Sequence, residues 1–283
     1  MRKIRSTFRL ALAVVSTVGH FSLWQLTRPV VGFSPDAQLR WRNTWVRAWA
    51  RSLGAISGMR VIVDGEPPKA PYFLVSNHLS YIDIIAFSIA TDCVFIAKSE
   101  IEGWGGLGFM AKHIGTIFIE RTNFQDLPRV ISLIEENLAA GKGIIVFPEG
   151  TSGRGDKVLP FSSALMEPAA RLGIPVSHAS ITYRTPENEV PAETAVCWWG
   201  DMTLIPHLVQ LLRIPSFEAG IRFGNEPIRD SDRKVLSRRL WQAVSESFAP
   251  VGAPAEAFFS SLVAQRFDGV QAGRTQSRPE SAE

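Results

Sequence analysis

Three short blocks of this chain carry residue types that could do chemistry together. The first is Asn77-His78-Leu79-Ser80-Tyr81-Ile82-Asp83. Five residues turn a helix through about 500°, so His78 and Asp83 do not share one helical face. They meet if His78 ends a loop and Asp83 lies in the first turn of the helix that follows. Asp83 would then accept a hydrogen bond from His78 Nδ1, fix the tautomer, and leave Nε2 as a general base. An unperturbed imidazole titrates near pH 6.5, close to working pH. The second block is Phe147-Pro148-Glu149-Gly150-Thr151-Ser152-Gly153-Arg154-Gly155. Its glycines allow tight turns and close approach to a ligand. The third is Gly115–Arg121, which reads as a strand ending in a cation, and the fork of Arg121 can hold two oxygens of a phosphate. Each block taken alone also has a plain reading, as a chance pair, a flexible turn or a surface cation.

The elements that must position these blocks alternate along the chain. Short apolar runs at Tyr72–Ser76, Val94–Lys98, Thr116–Glu120 and Gly143–Phe147 read as strands. Ile174–Thr182, Ala195–Trp199 and Glu218–Phe223 are further strand candidates. A helix is expected from Asp126, with Pro128 in its first turn, an apolar face of Val130, Ile131, Ile134 and Leu138, and Gly141 at its end. Phe161–Leu172 reads as a helix kinked or divided at Pro168, and 203–212 and 231–248 read as helices. The alternation predicts an α/β domain on a mixed, largely parallel sheet flanked by helices. The first and second blocks each follow a strand end, where open α/β sheets bind ligands.

The three blocks in this order resemble the PlsC-like lysophospholipid acyltransferases, the 1-acylglycerol-3-phosphate O-acyltransferase family. Asn77–Asp83 is similar to that family's N-H-x-x-x-x-D block, and Phe147–Thr151 to its F-P-E-G-T block. Lys98-Ser99-Glu100 with Gly115–Arg121, and Gly173-Ile174-Pro175-Val176, resemble the two remaining blocks. The resemblance covers roughly residues 60–225. It implies that His78, oriented by Asp83, deprotonates the hydroxyl of a lysolipid acceptor, which then attacks an acyl thioester. It also implies that Asn77, Arg121, Glu149, Gly150 and Thr151 contact or shape the acceptor site. The co-substrate would be acyl-CoA or acyl carrier protein, with no other cofactor and no metal. One departure bears on the acceptor. The family commonly has Arg after E-G-T, where this chain has Ser152, with Arg154 two residues on as a possible substitute. The first expectation is 1-acylglycerol-3-phosphate, giving phosphatidate; a lyso-ornithine lipid or another lysolipid is the alternative.

The 283 residues carry 30 Lys+Arg against 27 Asp+Glu, a net charge of +3. The charge is uneven: residues 1–60 hold ten basic residues against the single acid Asp36. Leu10–Thr27 is uncharged and flanked by Arg9 and Arg28; as a helix it would be about 27 Å long, just short of a hydrocarbon core of about 30 Å. Asp36–Gly58 reads as a second helix, with Trp41, Trp45 and Trp49 in a stripe beside Arg40, Arg47 and Arg51. Basic residues on both flanks fit a monotopic two-helix anchor over 1–59, facing the bilayer from the cytoplasmic side of the cell membrane. A single-pass insertion and a packed core helix are the alternatives. The expected division is then 1–59 anchor, 60–264 acyltransferase domain, and 265–283 a disordered polar tail.

Other functions fit less well. A hydrophobic fraction of 46% excludes a disordered chain. Two cysteines make no disulfide framework. The acidic remainder and the lack of a binding motif argue against a nucleic-acid partner. The five histidines are scattered without H-E-x-x-H or paired cysteines, so no metal is expected. Gly150-Thr151-Ser152-Gly153-Arg154 misses the G-x-S-x-G of a hydrolase at its last position. Hydrolysis and non-catalytic membrane binding are the rival classes. Trp198–Met202 and Pro206-His207 could line a pocket or simply pack.

Overall fold

The computed structural model describes residues 2–32, 34–120 and 124–253. In chain order the elements are α1 (Arg2–Thr27), α2 (Pro35–Ser57), β1 (Met59–Asp64), β2 (Tyr72–Ser76), α3 (Ile82–Ala90), β3 (Cys93–Lys98), α4 (Gly105–His113) and β4 (Ile117–Ile119). There follow α5 (Leu127–Ala139), β5 (Gly143–Val146), α6 (Glu167–Arg171), β6 (Val176–Arg184), α7 (Ala192–Ala195), α8 (Leu204–Leu211), β7 (Phe217–Phe223) and α9 (Arg233–Ser247).

The seven strands form one sheet in the order β1-β7-β6-β2-β5-β3-β4. Every pairing is parallel except β6 with β7. Both faces are covered, which is why the strands read as continuous apolar runs. Leu74, Ile145, Ile181 and Ile221 point toward α3, α7 and α8. Phe73, Val75, Ile144, Val146 and Val176 point toward α5, α6 and α9. Because β2, β3, β4 and β5 run parallel, the blocks that follow them emerge at one edge of the sheet.

Most expected elements form where the sequence placed them. α5 starts with Pro128 in its first turn and is followed by Gly141 at φ 74°. Pro168 divides 161–172, with a short 3-10 turn before it and α6 starting at Glu167. Two readings need correction. The strand expected at Ala195–Trp199 is instead the end of α7 and a loop, with the Val196 and Cys197 N–H groups donating to Ala192 O. Ala195, Val196 and Cys197 are buried as a strand would be, but in the core beneath the helices; periodicity cannot separate the two in so short a run. β1 has no counterpart among the strands expected from the sequence, because buried Met59 is followed by exposed Arg60 and then by half-buried residues, which gives a weak signal. The polar tail expected at 265–283 lies outside the described residues.

The amino-terminal helices pack on the body. α2 has Ser34 as its N-cap, Pro35 in its first turn, and Gly58 at φ 82° as its stop. Of the two helices expected to anchor, only the segment Arg2–Val31 is long and apolar enough among the described residues to cross a membrane. The tryptophan stripe of α2 does not face outward. Trp49 Nε1 donates to Thr17 Oγ1 at 3.1 Å, and the Trp45 ring meets His20 edge-on. Of the three arginines expected beside that stripe, Arg47 pairs with Asp92 at 2.8 Å, while Arg40 and Arg51 are exposed; Arg42 of the same helix bonds the carbonyls of Cys93 and Ile114. α1 turns its polar side inward and its apolar side out, leaving Ile4, Phe8, Val15, Val18 and Leu26 exposed.

Candidate active site

His78 stands just past the end of β2, and Asp83 is in the first turn of α3, fully buried. His78 Nδ1 lies 2.7 Å from Asp83 Oδ2. The same oxygen accepts from the N–H of Leu79 at 2.7 Å and of Ser80 at 3.2 Å. Oδ1 accepts from the hydroxyl of Tyr183 at 2.5 Å. Four donors on two oxygens suit an ionised carboxylate. With Nδ1–H held, Nε2 carries the free lone pair, and the imidazole is about one-fifth exposed. Its other face stacks on Phe147, with centroids 4.3 Å apart.

The loops are tied to each other around this histidine. His78 O accepts from Gly153 N–H, and Leu79 O accepts from Trp198 N–H, both at 2.8 Å. Ser152 Oγ donates to Trp198 O, so the loop after β5 and the loop after α7 are joined. The tight path of the β5 loop depends on glycine at two places: Gly150 and Gly155 sit at φ 76° and 94°, and a Cβ on Gly155 would stand 2.5 Å from Val251.

Glu149 is largely withdrawn from water in the same loop. Oε1 accepts from Leu159 N–H at 3.1 Å, while no donor among the described residues reaches hydrogen-bonding geometry at Oε2. Burial pushes the group up to about 9; the Leu159 and His78 N–H groups oppose this by less, and the Asp83 charge adds to it. Glu149 is therefore a neutral acid at pH 7.

The other expected site residues are placed as follows. Asn77 is buried, and its amide is engaged on both sides by Ile181: Oδ1 accepts from Ile181 N–H at 2.8 Å and Nδ2 donates to Ile181 O at 2.9 Å. Thr151 is exposed on the rim beside Gly150. Arg154 pairs with Glu193 at 2.8 Å and lies 5.4 Å over the Trp199 ring. Arg121 lies outside the described residues. The pairing of Lys98 with Ile119 brings the halves of its block together, and Ser99 Oγ donates to Glu120 at 3.0 Å. His207 is buried beside Tyr81, whose hydroxyl is 3.1 Å from Nδ1. No group of three or more metal-binding side chains occurs among the described residues.

Sequence reasoning missed Tyr183 and the loop at Trp198. Tyr183 lies near the end of β6, one residue past the Thr182 at which the sequence reading ends that strand, and nothing in its spacing from Asp83 announces a contact 100 residues away. A polar-tipped aromatic in an apolar run was the available signal.

Residues 59–182 match the Acyltransferase family. The chain is 31% identical over 262 residues to the lyso-ornithine lipid O-acyltransferase of Pseudomonas aeruginosa, covering 90% of this chain and 98% of that protein. It is 34% identical over 234 residues to the 1-acyl-sn-glycerol-3-phosphate acyltransferase of Neisseria gonorrhoeae, covering 81% and 88%. Its fold is similar to the 1-acyl-sn-glycerophosphate acyltransferase PlsC of Thermotoga maritima, with a TM-score of 0.62 at 21% identity over 87% of this chain and 97% of that one. With relatives aligned along nearly their whole length and the sheet edge assembled as the blocks require, this chain is a member of the PlsC-like lipid acyltransferase family.

Proposed function

We propose that this protein moves a fatty acyl group from a thioester donor, acyl-CoA or acyl carrier protein, to the free hydroxyl of a lysolipid. The observation that carries this reading is the His78–Asp83 contact of 2.7 Å with Nε2 left free. Nε2 takes the hydroxyl proton as the oxygen attacks the thioester carbonyl, and Asp83 stabilises the imidazolium that forms. The tetrahedral intermediate collapses with loss of the C–S bond, and His78 returns the proton to the departing sulfur. No protein nucleophile is required. Ser80 is buried, and the hydroxyl of Ser152 is engaged by Trp198 O, which also disfavours a serine hydrolase. Replacing His78→Ala should abolish transfer of radiolabelled acyl chains while leaving vesicle binding unchanged. Turnover retained in that variant would defeat the mechanism.

For the acceptor, an ornithine-bearing lysolipid is favoured. The position after Glu149-Gly150-Thr151 carries Ser152, and Arg154, the expected substitute cation, is already paired with Glu193. A headgroup bearing its own ammonium needs less positive charge from the protein than a phosphate monoester does. The second reading, 1-acylglycerol-3-phosphate, rests on Arg121 and on the Neisseria relative. Presenting both lysolipids side by side, with both donors, decides by product identity.

The protein is proposed to lie on the cytoplasmic face of the cell membrane with α1 in the interface. Near its start, Arg5 and Arg9 bond the carbonyls of Arg213, Ile214 and Pro215. Near its end, Phe21 packs on Phe109 of α4. A helix attached to the body along its length is suited to lie in a bilayer surface rather than cross it, with its exposed apolar side toward the acyl chains. Protease protection of one flank alone in sealed vesicles would overturn this.

A further inference from the structure

We infer that Tyr183 is a positioning residue for the base pair, acting through Asp83 as the third member of a Tyr183–Asp83–His78 relay. The inference rests on the reading of His78 as the base. Tyr183 is 1% exposed on β6, and its ring packs edge-on against Phe217 at 6.2 Å in the core beneath α3 and α7. A phenol so placed loses its hydration, which is unfavourable unless its hydroxyl finds a partner. Its hydroxyl donates to Asp83 Oδ1 at 2.5 Å. Oδ2 meets His78 Nδ1, Leu79 N–H and Ser80 N–H, so the Tyr183 hydroxyl is what holds the opposite oxygen. It sets the rotation of the carboxylate about its own axis, and that rotation sets how Oδ2 faces the imidazole.

The placement of the hydroxyl is itself constrained. Two residues earlier on the same face of β6, Ile181 is clamped at both its N–H and its carbonyl by the amide of Asn77. Asn77 immediately precedes His78, so one side chain ties the base loop to the strand that delivers Tyr183. In this arrangement Asn77 fixes the register and Tyr183 supplies the donor. The hydroxyl also withdraws part of Asp83's charge from His78.

The test is Tyr183→Phe in the full-length protein in phospholipid vesicles, assayed with acyl-CoA and both lysolipids. The expected result is a fall in kcat of roughly 10- to 100-fold, the range for one hydrogen bond to a charged group, with KM for both substrates within about twofold. The acidic limb of the kcat profile should move to higher pH by roughly half a unit to one unit, because Asp83 then holds a proton on His78 more tightly. The groups facing His78 and Asp83 are Glu149 from the β5 loop, Tyr183 from β6, and Tyr81 and Cys197 one layer out. Burial holds Glu149, Tyr81, Cys197 and Tyr183 protonated across that limb; His207 of α8, which burial pushes down, bonds Tyr81 rather than the carboxylate, so a movement of the limb on Tyr183→Phe reports on His78. If the variant is unstable, 3-fluorotyrosine at position 183 keeps the shape and strengthens the donor, and the limb should move the other way. In an Asp83→Asn background, Tyr183→Phe should cost little more. An unmoved limb with unchanged kcat, or additive losses in the double variant, would overturn the inference. If His78→Ala keeps its turnover, the parent reading fails instead, which is a distinguishable result.

Discussion

Asp83, in the first turn of the helix that follows β2, and Glu149, on the loop that follows the neighbouring parallel strand β5, are both carboxyl groups withdrawn from water, and they are held in opposite ways. Asp83, at zero exposure, has four donors on its two oxygens. Glu149, less completely enclosed, has a hydrogen bond at Oε1 only, from Leu159, and burial pushes it up to about 9. Donor count, rather than depth, separates the carboxyl that can partner a base from one that stays an acid. A second negative charge beside Asp83 would also be repelled by it, so the two states sustain each other.

The sharpest way to break this contrast is amidation of each group in turn. Asp83→Asn should lower kcat by roughly 10³- to 10⁴-fold, because the amide oxygen stays toward the three donors at the Oδ2 position but carries no charge to stabilise the imidazolium. Steady-state kinetics with the preferred lysolipid would measure this. Glu149→Gln should cost less than about 10-fold, since a neutral amide replaces a neutral acid and still accepts from Leu159. Equal losses in the two variants would remove the distinction.

The same contrast has a readout in stability against pH. Glu149 stands at about 9 in the folded protein against an ordinary 4.5. Between these values the folded state binds more protons than the unfolded one, so stability is full below about 4.5 and falls as pH rises toward about 9. Glu149→Gln should flatten that slope, and its melting temperature relative to wild type should rise steadily from pH 5 to pH 9. A constant difference across that range would mean that Glu149 is already ionised. The smallest expected effect is at Arg154, whose exposed pair with Glu193 lies at the rim. Arg154→Ala should change kcat/KM for lysophosphatidate and lyso-ornithine lipid by the same factor, within about threefold. Selective loss with the phosphate acceptor would assign that cation to the headgroup.

Much of this site was legible in the primary structure because local geometry sets it. His78 and Asp83 meet across the start of a helix, a contact spanning five residues, and the turns at Gly150 and Gly155 need positive φ. The amino-terminal helices were legible as helices but not in their facing. Trp45, Trp49 and Arg47 read as a headgroup layer, yet they pack on α1 and Asp92. Composition shows that a helix is amphipathic; which side meets solvent, lipid or protein depends on what docks against it.

By itself the sequence determined the alternation of strands and helices, the strand ends that carry the blocks, and the spacing of the His–Asp pair, all products of short-range periodicity and spacing. Only the tertiary structure decided that Asn77 clamps Ile181, that Tyr183 completes the coordination of Asp83, that Arg154 is already paired, and that Glu149 stays neutral. Three of these are contacts between residues far apart in the chain, and the fourth depends on how much water the assembled loops exclude. Neither distance in space nor local dielectric is written in residue order.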